Sequence, residues 1–535
     1  MDIENKEDYN VGGRRGELYM DKDSTAKTAG KSRGLGGDNW SVADIGRTAG
    51  KSRGLGVFTL AVMNVAAVVS LRGLPSEAGY GLGSIFYYLF AAVVFLIPVA
   101  LISAELAAAF PQKGGVYRWV GEALGPEAGF VAIWLQWIQN TIWFPTVLTF
   151  AAVSIAYVGA DPAATEVPLA NNRIYVAAAC FVIYWCATFI NLRGLSASAK
   201  ISKYGGLVGT IIPAAFLIFF GILWLAGGQP LAMDTSALTF VPDLSQLNNL
   251  VLASSIFLFF AGMELSAVHV MEIDDPQRNY PRAIFAAAIL TVCIFVFGTL
   301  AIAFVLPAQS INLTQGLLVA FDKYLTAYGL TALTPLVALM LVIGVLAGVS
   351  TWIGGPSKGL LAVGHHGFLP PFLQKTNDRG VQINILLVQG GIVTVLILLF
   401  TFMPSVQAVY QILGQLTAIL YLSMYFLLFL SGMKLRHMYP ELKRPFTVPG
   451  GKYGIYFWGL VGCIGAAMAF VLGFLPPAQI KVGSTAIWYG VLFCGYVLFV
   501  GLPLIIYACR RPSWVMERQG EELAPFLRDP EQKKE

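Results

Sequence analysis

Residues 68–76 read VVSLRGLPS. They end an apolar run, VFTLAVMNVAAVVSL from Val57 to Leu71, that has no charged side chain and leads straight into Arg72. As a helix rising about 1.5 Å per residue, that run is roughly 22 Å long, short of a hydrocarbon core of about 30 Å. Either Arg72 reaches the outer surface, or the helix breaks inside the membrane. Gly73, Pro75, Gly79, Gly81 and Gly83 follow closely and argue against a continuous helix. The first span is therefore read as two half-helices, with Arg72 following the break and the crossing complete before Ser84.

Of the 535 residues, 56% are hydrophobic and 12% charged, and the mean hydropathy is +0.68. These values exclude an ordinary soluble domain. About twelve apolar spans of crossing length recur, near residues 57–83, 84–109, 128–159, 174–190, 204–226, 249–269, 284–306, 331–354, 383–403, 405–431, 454–476 and 485–509. The six cysteines fall within these spans or at their ends and read as small packing residues, not as disulfides or a metal site. Residues 1–56 are polar and mixed in charge, with no cleavable signal pattern. Lysine and arginine concentrate in alternate loops, at Lys113 and Arg118, Lys200 and Lys203, Arg278 and Arg282, Lys358 and Lys375, and Lys434 to Lys452. That bias places both termini on the cytoplasmic side of a cell membrane and accounts for the net charge of +5 without a nucleic-acid partner.

The N-terminal tail repeats TAGKSRGLG at 28–36 and 48–56. Each copy contains GKS, but a phosphate-binding loop needs a glycine where Thr25 and Ile45 stand. A basic tail facing the anionic inner leaflet is the simpler reading.

Ionisable residues inside apolar spans are costly, and Arg72, Glu77, Glu105 and Glu264 are the set. Glu264 lies in SSIFLFFAGMELSAVHV, where Ala261-Gly262 interrupts the sixth span five spans after the first break. Two broken helices in corresponding positions are the pattern of an inverted-repeat transporter, whose unwound backbone binds small zwitterions near the midplane. The expected organisation is a tail at 1–56, five-helix repeats at 57–230 and 231–431, two further helices at 432–509, and a second tail at 510–535.

The stretches FPQKGGVYRWVGEALG (110–125), FAGMELSAVHVMEIDDPQRNYPRA (260–283), GVSTWIGGPSKGLL (348–361) and GFLPPFLQK (367–375) resemble the amino acid, polyamine and organocation transporters, most closely the glutamate:GABA antiporter group. The resemblance implies an all-α LeuT-like fold exchanging amino acids or their decarboxylated amines by alternating access, with proton- or sodium-coupled symport as the alternative. It implies a substrate site at Val68, Val69, Ser70, Arg72, Trp137, Gly262, Glu264, Gly348, Trp352, Tyr421 and Tyr425. The chain departs from the pattern twice. Arg72 stands where the family has an aromatic, and Gly348 where the glutamate exchangers carry an acidic residue.

Other readings of these residues are open at this point. Arg72 serves a substrate carboxylate, sits at the interface, or pairs with Glu77. Glu264 titrates, or accepts hydrogen bonds at the break, and the aromatics line a cavity or merely pack. Ser350-Thr351 reads as helix packing more readily than as a sodium site. No HExxH or GxSxG motif supports an enzyme, and AGYGLG at 78–83 ends a broken helix more simply than it builds a channel filter. No cofactor or metal is called for. The tail from Arg510 to Glu535 has no histidine to sense mild acid. Deleting Pro512 to Glu535 is expected to leave the pH profile of transport almost unchanged in proteoliposomes, and a large gain of activity at neutral pH would assign the tail a role.

Overall fold

The structure, a computed structural model, describes residues 56–110, 114–159, 167–193, 204–240, 247–264 and 275–515. Among the described residues, ten helices are long and apolar enough to cross a bilayer: Gly83–Ala109, Pro126–Val158, Arg173–Leu192, Tyr204–Ala226, Arg278–Val305, Thr331–His366, Ile383–Phe402, Val406–Met438, Gly451–Leu472 and Thr485–Ala508. With two interrupted segments, the first and the sixth, they make an all-α polytopic membrane protein of twelve spans, and no strand occurs among the described residues. The duplicated TAGKSRGLG, the loop with Lys200 and Lys203, and residues 265–274, which follow Glu264 in the sixth span, lie outside the described residues.

The first segment is helical from Val57 to Val68, extended at Val69 and Ser70, and resumes as a 3-10 turn, Leu71–Gly73, and a short helix, Leu74–Ala78. The break thus precedes the glycine-rich stretch. Two adjacent β-branched valines and a serine favour extended backbone, and Pro75 begins the second half-helix where no N–H partner is needed. In the sixth segment the short helix Ser255–Phe259 ends in a turn whose Gly262 has φ +109°, a conformation open to glycine but strained for other residues. A Cβ at Gly73 would fall 2.4 Å from the Phe259 ring, so only glycine lets the helices Leu74–Ala78 and Ser255–Phe259 lie this close.

The third span, Pro126–Val158, is buried along most of its length and packs on the eighth and tenth. Its Pro145 removes the hydrogen bond to the Thr141 carbonyl and loosens the helix at mid-membrane. The twelfth span is largely exposed, its apolar side chains facing outward as lipid contact requires. Near the C-terminal end of the second span, Glu105 accepts from Arg436 (2.5 Å) and from the Val448 backbone N–H (2.7 Å), and Arg444 lies 3.3 Å away. That buried cluster ties the second and tenth spans to the loop before the eleventh. The turn Pro512–Trp514 is seated on the loop after the eighth span, where Gln374 Nε2 donates to the Trp514 carbonyl. The truncation considered above would remove this contact too.

Lipid supplies no hydrophobic drive between helices, so close packing must hold them. The fifth and eighth spans meet glycine to glycine: a Cβ at Gly209 would sit 2.0 Å from the Gly344 nitrogen, and one at Gly205 2.5 Å from Ala347 Cβ. Gly391 in the ninth span has nothing within 4 Å of such a Cβ. Gly209→Ala is therefore expected to destabilise the protein by about 1–3 kcal/mol through forced separation of the helices, whereas Gly391→Ala is neutral or stabilising by up to about 1 kcal/mol. Thermal melts of detergent-purified protein check both.

Candidate functional site

The unwound residues of the first segment open onto a cavity of about 130 Å³ bounded by the first, third, fifth, sixth, eighth and tenth spans. A cavity of about 150 Å³ admits benzene, so this is room for a small organic molecule. Val68, Val69, Ser70, Arg72, Gly348, Trp352 and Tyr421 all line it, so seven of the expected residues come together on one surface.

Arg72 is its charged member. The guanidinium is 4% exposed, and Nη1 donates to the Tyr410 hydroxyl at 3.0 Å. That hydroxyl donates in turn to the Arg72 carbonyl at 3.3 Å. The guanidinium carbon stands 5.4 Å from the Trp143 ring centroid and 5.7 Å from that of Tyr410, so two aromatic faces flank the cation. Its Nε has no partner, and no ion pair joins Arg72 to Glu77. A buried guanidinium held by one neutral hydroxyl has donors to spare for an anion.

Glu264, Tyr425 and Gly262 form a layer behind the lining. The Glu264 carboxylate, 1% exposed, accepts from Tyr421 and Tyr425, both at 2.5 Å, and from Gln136 Nε2 at 3.3 Å. The Tyr425 hydroxyl also accepts from the Gly262 backbone N–H at 2.8 Å, so the donor freed at the turn is satisfied by a phenol, not by the glutamate. Tyr421 belongs to both layers. This network joins the third, sixth and tenth spans at the break.

Trp137 lies apart from the cavity. Its Nε1 donates to Gln389 Oε1 at 2.7 Å, and Gln389 Nε2 donates to the Tyr184 hydroxyl at 2.8 Å, a polar strut linking the third, ninth and fourth spans. The third span reaches the cavity instead through Gln139, Asn140 and Trp143. Asn140 Nδ2 donates to the Trp352 carbonyl at 2.8 Å, tying that wall to the eighth span. The sequence signal for this face was the polar spacing Gln136, Gln139, Asn140 within an apolar helix, which places the three side chains on one side. Nothing local marks Tyr410, which meets Arg72 only through tertiary structure.

Gly348 also faces this space, and a Cβ built on it has nothing within 4 Å. No Asp or Glu occurs among the lining residues. The cavity thus carries one fixed positive charge, two side-chain amides, several hydroxyls and aromatic walls.

The amino acid permease family model matches residues 55–499. An uncharacterized transporter of Legionella pneumophila is 40% identical over 447 residues, covering 84% of this chain and 95% of its own. A glutamate/gamma-aminobutyrate antiporter of Lactococcus lactis is 32% identical, covering 84% and 90%. A probable agmatine/putrescine antiporter of the same species is 23% identical, covering 73% and 81%. Coverage on this scale joins the helical architecture to the cavity at the broken segments: the chain belongs to the amino acid permease family and is a membrane transporter, not an enzyme.

Proposed function

We propose that the protein exchanges amino acids across the membrane by alternating access and prefers neutral or acidic substrates to cationic ones. Its two five-helix halves, residues 57–230 and 231–431, work as inverted repeats, and both termini lie in the cytoplasm. The observation that carries the substrate class is the Arg72 guanidinium on a cavity wall with no carboxylate. A substrate carboxylate binds there as a fork, displacing nothing stronger than a tyrosine hydroxyl. Its ammonium is received by the carbonyl oxygens of the unwound Val68–Ser70 stretch, and Trp352 and Tyr421 close the sides.

A glutamate molecule carries one net negative charge and its decarboxylated amine none, so both are compatible with this balance. The relatives named glutamate/gamma-aminobutyrate antiporters agree with it. A diamine such as putrescine would face Arg72 with no anion to receive it and would be desolvated at a loss. The relative named for agmatine and putrescine is the more distant of the two in sequence. An acidic side chain at position 348 would cancel the Arg72 charge, and a Cβ there meets nothing within 4 Å.

Competition against uptake of labelled glutamate into proteoliposomes tests this reading. Neutral and acidic amino acids should compete, and arginine and agmatine should not; if either cation outcompetes every neutral and acidic amino acid, the charge argument fails. Hydrogen bonds to charged groups contribute about 1.5–3 kcal/mol, so Arg72→Ala is expected to raise the apparent KM about 10- to 100-fold. Arg72→Lys should also weaken transport, because a point charge cannot form the fork. An Arg72→Ala protein with unchanged affinity and rate would remove Arg72 from the site. In the same assay Gly348→Glu is expected to shift competition towards amines.

A further inference from the structure

Glu77 has no place in the site described above, and its setting is unusual. It is 0% exposed and sits on the outer half-helix Leu74–Ala78. One carboxyl oxygen accepts from the Ser76 hydroxyl at 3.1 Å, and the other has no partner. No cation compensates it. Arg72, five residues earlier, donates to Tyr410 and forms no ion pair with Glu77. Tyr80 donates to the Asn249 carbonyl, and Tyr88 shares a hydrogen bond with Thr299.

The elements packed against this half-helix are equally uncompensating. The seventh span carries Arg278, Tyr280, Arg282 and Cys293, and no hydrogen bond or ion pair joins any of them to Glu77. On the helix Gly316–Ala327, Asp322 accepts from Thr334, Lys323 donates to the Val305 carbonyl, and Tyr324 to that of Ala301. Ser255–Phe259 holds no ionisable residue. An isolated carboxylate in such surroundings would cost several kcal/mol, whereas a carboxylic acid needs no counter-charge.

The location makes that proton consequential. Pro75 of the same half-helix meets Gly316, and Leu74 meets Gly298 of the seventh span. Tyr410, the partner of Arg72, packs with Leu252 and Leu313 in a small apolar cluster, with Tyr80 and Ile480 against it. In alternating access this half-helix moves when substrate is admitted from outside, and that movement brings water to Glu77.

We propose that Glu77 is a proton-binding site of the transport cycle, protonated while the outer half-helix is closed and deprotonated when it opens. The O–H bond breaks heterolytically: the proton passes to external water and the electron pair stays on the carboxylate. Acid therefore favours the closed form, and that preference is lost as external pH rises.

The proposal rests on alternating access, and its test uses no substrate, so its failure is distinguishable from failure of the competition experiment. Infrared spectra of the purified protein should show a protonated-carboxyl C=O band that shrinks as pH is raised and is missing in Glu77→Gln. In liposomes, labelling of Gly348→Cys by an impermeant maleimide added outside, corrected for the protein without that cysteine, should rise several-fold with external pH. Adding Glu77→Gln should hold it low at every pH. Absence of the infrared difference band overturns the proposal, as does a Glu77→Gln protein whose labelling rises like that of the parent or is fast throughout. If Glu77→Gln does not fold, Glu77→Asp decides. A displaced midpoint supports proton binding here, and an unchanged one overturns it.

Discussion

A bilayer core offers no water to a backbone that leaves its helix, so every N–H and C=O released at a break must find a partner inside the protein or face a cavity. The rest of this structure follows from that constraint. Val69 N–H still reaches the Val65 carbonyl, which ends the helix Val57–Val68 cleanly. At the second break the Gly262 N–H is taken by Tyr425, which is held in turn by Glu264. The unwound residues Val68 to Ser70 themselves line the cavity. The break and the cavity are the same place.

Around the broken segments charge is handled by separation. Arg72 is flanked by Trp143 and Tyr410, Glu264 by two phenols and an amide, and Glu77 by a serine hydroxyl alone. Had Arg72 and a glutamate neutralised each other, the guanidinium would be occupied and an incoming carboxylate would have to break an ion pair. Neutral partners stabilise the cation enough for burial and still yield to a charged competitor. The cluster of Glu105 with Arg436 and Arg444 is the contrasting case: there the charges meet directly and tie spans together.

The interruption at Val69–Ser70 was legible because an apolar run too short to cross ends in an arginine, and that at Gly262 because a glycine and a glutamate punctuate an otherwise apolar span. Hydropathy likewise placed the ten continuous spans. The break itself came earlier than the glycines suggested, since β-branching at Val68 and Val69 acts locally and leaves no gap in hydropathy. Within the site, Trp137 and Trp143 lie in the same buried helix, and only the rotation of the third span decides which faces the cavity; that rotation is set by Gln389 and Trp352 on other helices. The Tyr410–Arg72 contact joins residues far apart in sequence, so no window of sequence contains it.

The open space at Gly348 has an evolutionary consequence. Most core positions resist change because a new side chain must displace old ones, so specificity there can shift only with compensating substitutions elsewhere. Position 348 differs: a Cβ added there meets no atom within 4 Å. On the proposed reading of the cavity, a single substitution at this position is the step by which a paralogue of this chain would change its electrostatic preference with little cost in stability.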